Sequence, residues 1–225
     1  YYIAAEEKYE TMAKKILALN SEESTVGADL HPVLSYKDLR EWLAEATRLG
    51  EVRVVKGLDT EKEIGMATEV VMGSDEADCI IFDDIKGYEP GWRVLVNFFG
   101  AKRKNMTLGF PTGLDKLELS EVYHDAHLKC ITPIPHEVVD KGPVLENVLE
   151  GADVDLSKFP TPFWHPDDGG HYIGTGSYGV TVDPDTGWMS IGNYRVMVHD
   201  KMTVGYFISS DKHGRSHGDK YFERG

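Results

Sequence analysis

The chain has 225 residues and ordinary proportions of hydrophobic and charged residues (41% and 28%), which indicates a globular protein with one large domain or two small ones. Its formal net charge of −14 argues against binding to nucleic acids, because contact with phosphates needs clustered Lys and Arg. The short basic cluster of Lys102, Arg103 and Lys104 is interpreted as a solvated turn. No apolar run is long enough to cross a bilayer, and the acidic N-terminal segment is unlike a signal peptide. We therefore expect a cytoplasmic protein without a membrane partner.

The two cysteines are Cys79 and Cys130. Cys79 lies in an apolar run, Cys130 precedes an isoleucine, and neither belongs to a CxxC pair. Both are predicted to be small buried hydrophobic residues rather than parts of a disulfide framework.

The first hundred residues predict alternating helices and strands. Apolar residues at helical spacing predict a helix over residues 4–19, and a loop is predicted over residues 27–32. A second helix is predicted to begin with Ser35 as its N-terminal cap, with Asp38 favouring its positive end, and to stop at Gly50. Further elements follow in the order strand, helix, strand, strand, over residues 51–55, 63–72, 79–82 and 93–98. This order indicates a small α/β layer domain.

The sequence changes character after Pro111. The part after Asp168 alternates in the manner of antiparallel strands, which are predicted over residues 178–182, 193–199 and 203–209. Turn-forming residues occupy positions 183–187, and residues 200–202 form a shorter connection. Repeated short hairpins favour a barrel or a sandwich. We place a domain boundary near residues 115–125 and predict no final element for residues 221–225.

Side chains capable of chemistry are densest between residues 188 and 217. They are Ser190, Asn193, Arg195, His199, His213, Arg215 and His217. Rigid scaffolds usually present such residues to ligands at strand ends and in loops. Each residue also has a simpler interpretation: Arg195 as a surface charge, His199 as a turn residue, and residues 213–217 as a polar loop. The residues alone leave both interpretations open.

Several separated segments resemble the UbiD family of decarboxylases. The segment DPDTGWMSIGNYRVMVHDKMTVGYFISSDKHGR is similar to the family's flavin site, where an Asn-x-Gly-x-Tyr-Arg motif precedes a strand and a histidine. Here Gly192, Asn193, Tyr194 and Arg195 match the end of the motif, and His213 follows Arg195 by 18 residues, as in the family. The segments DLREWLAEATRLGEVRVV, IIFDDIKGY, RVLVNFFGAKRK and DVDLSKFPTPFWHPDDGGHYIGTG match in the same order, so the resemblance extends from Ser35 to the C-terminus.

The resemblance implies an α+β fold. An N-terminal α/β domain would be followed by a split β-barrel of the FMN-binding type, incomplete at its C-terminus. The implied domains are an N-terminal helix and loop (1–34), the α/β domain (35–120) and the N-terminal part of the barrel (121–225).

The resemblance also implies prenylated FMN and a divalent ion such as Mn²⁺ as cofactors. Arg195 matches the catalytic arginine, which contacts the substrate carboxylate and the flavin. The implied cofactor contacts are Ser190, Ile191, Gly192, Asn193, Tyr194, Arg195, Lys212 and His213. Of these, Ser190 and His213 are the implied metal ligands, and Thr175 falls near a site where some family members bind potassium.

Ser190 departs from the family's pattern. The family has a metal-binding Asn five positions before the arginine, and a serine hydroxyl binds a hard cation more weakly than an amide oxygen. The family's third metal ligand, a glutamate, and its acid/base carboxylates lie further along the chain, and no segment here matches them. We therefore expect either a fragment of a longer protein or an incomplete homologue.

The implied function is the reversible, non-oxidative decarboxylation of an aromatic acid, most similar to enzymes acting on hydroxylated benzoic acids such as protocatechuate or gallate. The cofactor would accept the electron pair left by CO2, and a carboxylic acid would return the proton. The implied partners are the aromatic acid, a flavin prenyltransferase that supplies the cofactor, and further copies of the chain in a dimer or hexamer. Three alternatives stay open: decarboxylation of an aromatic-acid coenzyme A thioester, a plain FMN-binding split barrel, and an inactive homologue that serves as a partner subunit.

Overall fold

The computed structural model describes residues 32–73, 77–129, 137–174 and 176–225. The predicted helix over residues 4–19, most of the predicted loop over 27–32, Cys130 and Thr175 lie outside the described residues. The chain divides into two compact units, one with the described residues 32–45 and 102–129, the other with those of 46–101 and 137–225. Among the described helices, none is both long enough and apolar enough to pass through a membrane.

The described residues before 130 form helices and strands in alternation. They are α1 (Leu39–Arg48), β1 (Val52–Lys56), α2 (Glu63–Met72), β2 (Cys79–Asp83), β3 (Val94–Val96), α3 (Ala101–Thr107) and α4 (Lys116–Lys129). The predicted order from α1 to β3 is confirmed, whereas α3 and α4 were not predicted. Lys102, Arg103 and Lys104 lie in α3, and Arg103 is fully buried there, so their interpretation as a solvated turn is wrong.

The core of the second unit forms around β2. This strand pairs in parallel with β1 and antiparallel with β3. Its residues are buried on both faces, as expected for a strand covered on both sides, and Ile80 and Phe82 pack against Ile64 of α2. Cys79 is also fully buried, which confirms its prediction as a small core residue. Trp164 packs against the same cluster and so brings the later part of the chain next to α2.

Asp38, and not Ser35, caps helix α1. One oxygen of Asp38, Oδ1, accepts hydrogen bonds from the backbone N–H groups of Arg40 and Glu41 at 2.9 and 3.0 Å. The side-chain hydrogen bond from Arg40 and then these backbone bonds lower the pKa of Asp38. The helix therefore begins with a satisfied carboxylate cap, and the prediction for Ser35 is wrong.

The described residues after 136 form short strands and a terminal helix. Three 3₁₀ turns (Pro143–Leu145, Gly151–Asp153 and Leu156–Lys158) precede β4 (His171–Gly174), β5 (Tyr178–Val182), β6 (Met189–Asn193), β7 (Val196–Val198), β8 (Val204–Tyr206) and α5 (His213–Arg224). Strands β4, β7 and β8 form one antiparallel sheet, and β5 and β6 form another. Mixed helix and strand structure is thus confirmed.

The two predicted connections and the predicted β5 are confirmed, whereas the strand predicted over residues 193–199 and the interpretation of residues 213–225 need correction. Asp183 Oδ1 accepts the backbone N–H groups of Asp185 and Thr186 at 2.8 and 3.2 Å, which closes the turn between β5 and β6. The strand predicted over residues 193–199 is two separate strands, because β6 ends at Asn193 and β7 begins at Val196. Residues 213–224 form α5, so the prediction of no final element is wrong, and the alternative interpretation of residues 213–217 as a polar loop is excluded.

Candidate functional site

The predicted site residues described by the structure lie on β6, in the connection after it and at the start of α5, all in the second unit. Ser190 to Asn193 belong to β6, and Tyr194 and Arg195 connect β6 to β7. Lys212 is the residue before α5, and His213 is its first residue. The structure therefore groups these residues around one strand and one helix end.

Helix α5 covers one face of the β5–β6 hairpin, and Ser190 belongs to that face. Thr181 lies opposite Ser190 in the strand register, and a Cβ placed on Gly214 of α5 would be 3.6 Å from the Thr181 hydroxyl. The ring of Trp188, two residues before Ser190, contacts the His213 ring edge-on with a centroid distance of 4.5 Å. Of the two predicted metal ligands, Ser190 thus lies on β6, and His213 begins α5 in contact with the Trp188 ring.

Tyrosine rings occupy the space over the hairpin's paired glycines. Gly179 and Gly192 are opposite each other, and a Cβ at Gly192 would be 2.2 Å from the Tyr194 ring. A Cβ at Gly179 would likewise overlap the Tyr206 hydroxyl, and the two tyrosine rings meet edge-on at 5.5 Å. Burial raises the pKa of Tyr206. The two tyrosine rings thus fill the space over both glycines. A cofactor could therefore reach Gly192 only at its backbone N–H and C=O groups.

One edge of β6 is available for such backbone contacts. Strands β5 and β6 form a two-stranded sheet, so among the described residues only one edge of β6 is paired with another strand. Backbone N–H and C=O groups along an unpaired edge are ready to accept an additional partner. This edge is where Ile191 and Asn193 would meet a bound cofactor.

Arg195 is exposed and borders two cavities. The first, of about 650 Å³, is lined by α2 residues together with Trp164 and Tyr172. The second, of about 790 Å³, is lined by Tyr172, Tyr194 and Phe207 among others. Both volumes are in the range of small-molecule sites, and both combine aromatic walls with a guanidinium group. This arrangement suits a flat aromatic molecule that carries a carboxylate.

The predicted metal ligands supply only part of a metal site. Within the described ranges, no three His, Cys, Asp or Glu side chains come together in a way that would hold a metal ion. Ser190 and His213 offer one hydroxyl and one imidazole, both neutral, whereas a divalent ion in an oxygen-rich site usually has anionic ligands as well. Ser190 and His213 therefore offer two donors of a kind that fits a divalent ion, and anionic ligands would be needed beside them. Lys212 is exposed, with its Nζ 3.7 Å from Asp211.

The sequence did not predict a cluster of charged residues between α5 and the turn that follows β5. Asp183 is buried at the end of β5, and its Oδ2 accepts a hydrogen bond from Lys220 Nζ at 2.7 Å. Lys220 lies 3.0 Å from Asp185, which also pairs with Arg224. The bond from Lys220 is the largest cause that lowers the pKa of Asp183, and the same bond raises the pKa of Lys220.

His217 completes this cluster. Its side chain is 2% exposed, its Nδ1 is 3.0 Å from the Thr181 hydroxyl, and its Nε2 is 3.9 Å from Asp183 Oδ2. The Trp188 ring contacts it edge-on at 5.5 Å. A signal was present in the sequence, since positions 213, 217, 220 and 224 share one face of a helix, but it becomes visible only once residues 213–224 are known to be helical.

The fold and cavities define a mixed helix and strand protein with ligand-sized clefts beside a strand edge. Residues 136–225 match the family model described as the 3-octaprenyl-4-hydroxybenzoate carboxy-lyase (UbiD) Rift-related domain. The predicted recognition is thereby confirmed: the chain contains the Rift-related domain of the UbiD family.

Similar proteins include two that are named as decarboxylases. The pyrrole-2-carboxylic acid decarboxylase of Pseudomonas aeruginosa is 32% identical over 176 residues, which cover 74% of this chain and 35% of that protein. The closed form of vanillic acid decarboxylase from Sedimentibacter hydroxybenzoicus is 28% identical with a TM-score of 0.68, over 77% of this chain and 37% of that one.

A third similarity concerns the fold alone. An evolved dimeric form of the UbiD-class enzyme HmfF from Pelotomaculum thermopropionicum, in complex with prFMN, is 23% identical with a TM-score of 0.70, over 84% of this chain and 42% of that one. The chain thus spans between about a third and two-fifths of the length of these relatives.

Proposed function

We propose that this chain is part of a carboxy-lyase that removes CO2 reversibly from an aromatic acid with prenylated FMN and a divalent metal. The observation that supports this most directly is the position of Arg195. This residue belongs to the segment that matches the Rift-related domain, and it borders two cavities with aromatic walls. Relatives with decarboxylase names are consistent with this chemistry.

The proposed architecture follows the family. It consists of an N-terminal helix and loop (1–34), an α/β domain (35–120) and the first part of a split β-barrel (121–225). The antiparallel sheets β4–β7–β8 and β5–β6 would belong to that barrel. In the cell we expect the protein in the cytoplasm, as a dimer or hexamer of the complete chain, with its cofactor supplied by a flavin prenyltransferase.

Arg195 would bind the substrate carboxylate and hold it against the flavin. A guanidinium group forms two parallel hydrogen bonds with a carboxylate, so it fixes the orientation of the acid as well as its position. Tyr172 borders both cavities and would contact the aromatic ring of the substrate. Prenylated FMN, when bound, supplies the acceptor for the electron pair released with CO2.

The cofactor would be held by β6 and the start of α5. Backbone groups of Ile191 and Asn193 would contact it along the edge of β6 that no described strand covers, with Gly192 and Tyr194 beside it. The Lys212 ammonium group would lie near its phosphate. Ser190 and His213 would ligate a divalent ion such as Mn²⁺, with an anionic ligand still to be supplied. Thr175 is proposed for a potassium site. A carboxylic acid from elsewhere in the complete protein would protonate the product.

The substrate class we favour is a hydroxylated benzoic acid such as protocatechuate or gallate. The similarity to a vanillic acid decarboxylase supports it. A second candidate is a heteroaromatic acid, because a pyrrole-2-carboxylic acid decarboxylase is among the similar proteins.

The test is to co-produce the full-length protein with a flavin prenyltransferase. We expect a flavin-type absorbance spectrum that differs from that of FMN, bound Mn²⁺ by elemental analysis, and CO2 release from one of the acids above. Protein produced without the prenyltransferase serves as the control. Release of CO2 at equal rates from both preparations, or from neither with any of the acids, would contradict the proposal.

A further inference from the structure

The face of α5 that carries His213 is attached to the hairpin by a row of polar contacts. His213, His217, Lys220 and Arg224 follow one another at spacings of four, three and four residues, which places them on the same helix face. Each of the last three has a polar partner on β5 or in the turn after it: Thr181, Asp183 and Asp185, respectively. The helix is therefore fixed in rotation and along its axis by residues that lie after His213.

The hairpin supplies the other half of the arrangement. Thr181, which contacts His217, is the cross-strand partner of Ser190. Trp188 contacts both His213 and His217. A Cβ on Gly214 would lie 3.2 Å from the Ile208 side chain and 3.6 Å from the Thr181 hydroxyl, so the first turn of α5 lies against both residues. Any rotation or slide of α5 would therefore change the separation between His213 and Ser190.

We propose that Lys220 and His217 are positioning residues, which act through Asp183 and Thr181 to hold His213 against Trp188 at a fixed separation from Ser190. The inference rests on the proposed function, because it assigns the metal to Ser190 and His213. Neither positioning residue is a metal ligand in this proposal. Lys220 and His217 lie on the same helix as His213, so they affect the position of His213 by fixing the position of the helix.

The central contact is suited to this role because its carboxylate is mostly buried. The Asp183 side chain is 10% exposed, and it accepts two backbone N–H groups of its own turn in addition to Lys220. Removing Lys220 leaves those two backbone bonds in place, so the hairpin turn keeps its closure while the helix loses one of its three polar attachments. Changes in the residues that orient metal ligands typically reduce metal affinity by about 10–100-fold.

The experiment uses the full-length protein with Mn²⁺ as the probe. Lys220→Met removes the cation, Lys220→Arg retains it, and Thr181→Val removes the bond to His217 without changing side-chain volume. Asp219→Asn is the matched control, because it breaks the ion pair with Arg215 on the exposed face of the same helix. Mn²⁺ affinity is measured by electron paramagnetic resonance, and melting temperature is recorded for every variant.

A second measurement reports the position of α5 without metal. In protein labelled with 5-fluorotryptophan, the ¹⁹F resonance of Trp188 is assigned by its absence in Trp188→Phe. We expect Lys220→Met to shift this resonance and to weaken Mn²⁺ binding about tenfold or more. Lys220→Arg should keep the resonance position and the Mn²⁺ affinity close to those of the unmodified protein. Thr181→Val should change the resonance position and the affinity in the same direction as Lys220→Met. Asp219→Asn should change neither.

The outcomes separate the two proposals. If Lys220→Met and Thr181→Val leave the Trp188 resonance unshifted, as expected for Asp219→Asn, the positioning proposal is wrong, whatever the metal affinity. If His213→Ala binds Mn²⁺ as tightly as the unmodified protein, the assignment of His213 as a ligand is wrong, and the ¹⁹F resonance alone then decides the positioning role. Should Lys220→Met fail to fold, Thr181→Val and Lys220→Arg provide the same comparison.

Discussion

Substituting Gly65 by alanine tests how α2 is packed against the segment that leads into the strands of the second unit. Gly65 is a buried residue of α2, and a Cβ there would lie 2.5 Å from the backbone oxygen of Trp164 and 2.6 Å from that of Phe163. Two opposing effects act at this position. Alanine stabilises a helix interior relative to glycine by about 1 kcal/mol, whereas the new methyl group collides with two backbone carbonyls.

The collision should be the larger effect. An ordinary contact is 3.4 Å or more, so the shortfall against 2.5 Å is about 0.9 Å, and backbone oxygens cannot rotate away as a side chain does. The segment is also held in place, because the Phe163 N–H donates to the Thr60 carbonyl at 2.8 Å. Overpacking of this kind costs about 1–3 kcal/mol. With about 1 kcal/mol regained from helix propensity, we expect a net loss of up to about 2 kcal/mol and a melting temperature lower by up to about 8 °C.

Thermal unfolding of the full-length protein, followed by circular dichroism, measures this change. Gly73→Ala is the matched control, because Gly73 follows the same helix and, of the described residues, a Cβ there would meet only the Val70 oxygen at 3.8 Å. We expect the control to be as stable as the unmodified protein or slightly more stable. Equal melting temperatures for Gly65→Ala and Gly73→Ala would show that the close approach at Gly65 does not exist in solution.

Three further predictions concern the site and its surroundings. Arg195→Ala in the full-length enzyme should abolish turnover with little change in melting temperature, while Arg53→Ala, which breaks an exposed ion pair, should change neither; unimpaired turnover would remove Arg195 from the mechanism. Residues 1–225 alone, given prenylated FMN and Mn²⁺, should neither bind the cofactor tightly nor decarboxylate hydroxybenzoates, and turnover near that of the full-length protein would contradict this. Folding lowers the pKa of Asp183, so the contribution of this carboxylate to the stability of the fold should be complete at neutral pH and be lost as the pH falls below about 4. Asp183→Asn should therefore flatten the dependence of melting temperature on pH between about 4 and 2. Asp219→Asn should leave that dependence unchanged.

The elements predicted well from sequence are those with a local signal. Helix α2 was predicted with its observed bounds, because its apolar residues recur at helical spacing. The apolar run from Cys79 identified β2, and the turn after β5 was recognisable from its residue types. In each case the information lies within about ten neighbouring residues.

Helix α5 and its contacts were missed because their signal is not local. Residues 213–224 include two glycines and few apolar side chains, so propensity and periodicity both argue against a helix. What stabilises it are contacts with residues much earlier in the chain, such as Lys220 with Asp183, 37 positions away. Nor did the sequence distinguish Ser35 from Asp38 as the cap of α1, since both residue types are good caps. The motif located the candidate site, but not the cluster beneath it.

The double role of Asp183 has a consequence for the order of folding. Its bonds to the turn amides join residues two and three positions apart, whereas its bond to Lys220 has to close a loop of 37 residues. Hairpins form within about 1–10 μs, and longer loops cost more entropy to close. We therefore expect the β5–β6 hairpin to form with Asp183 still hydrated on one side. During synthesis, the hairpin can then emerge and close before α5 exists, and docking of the helix replaces water at Asp183 Oδ2 with the Lys220 ammonium group.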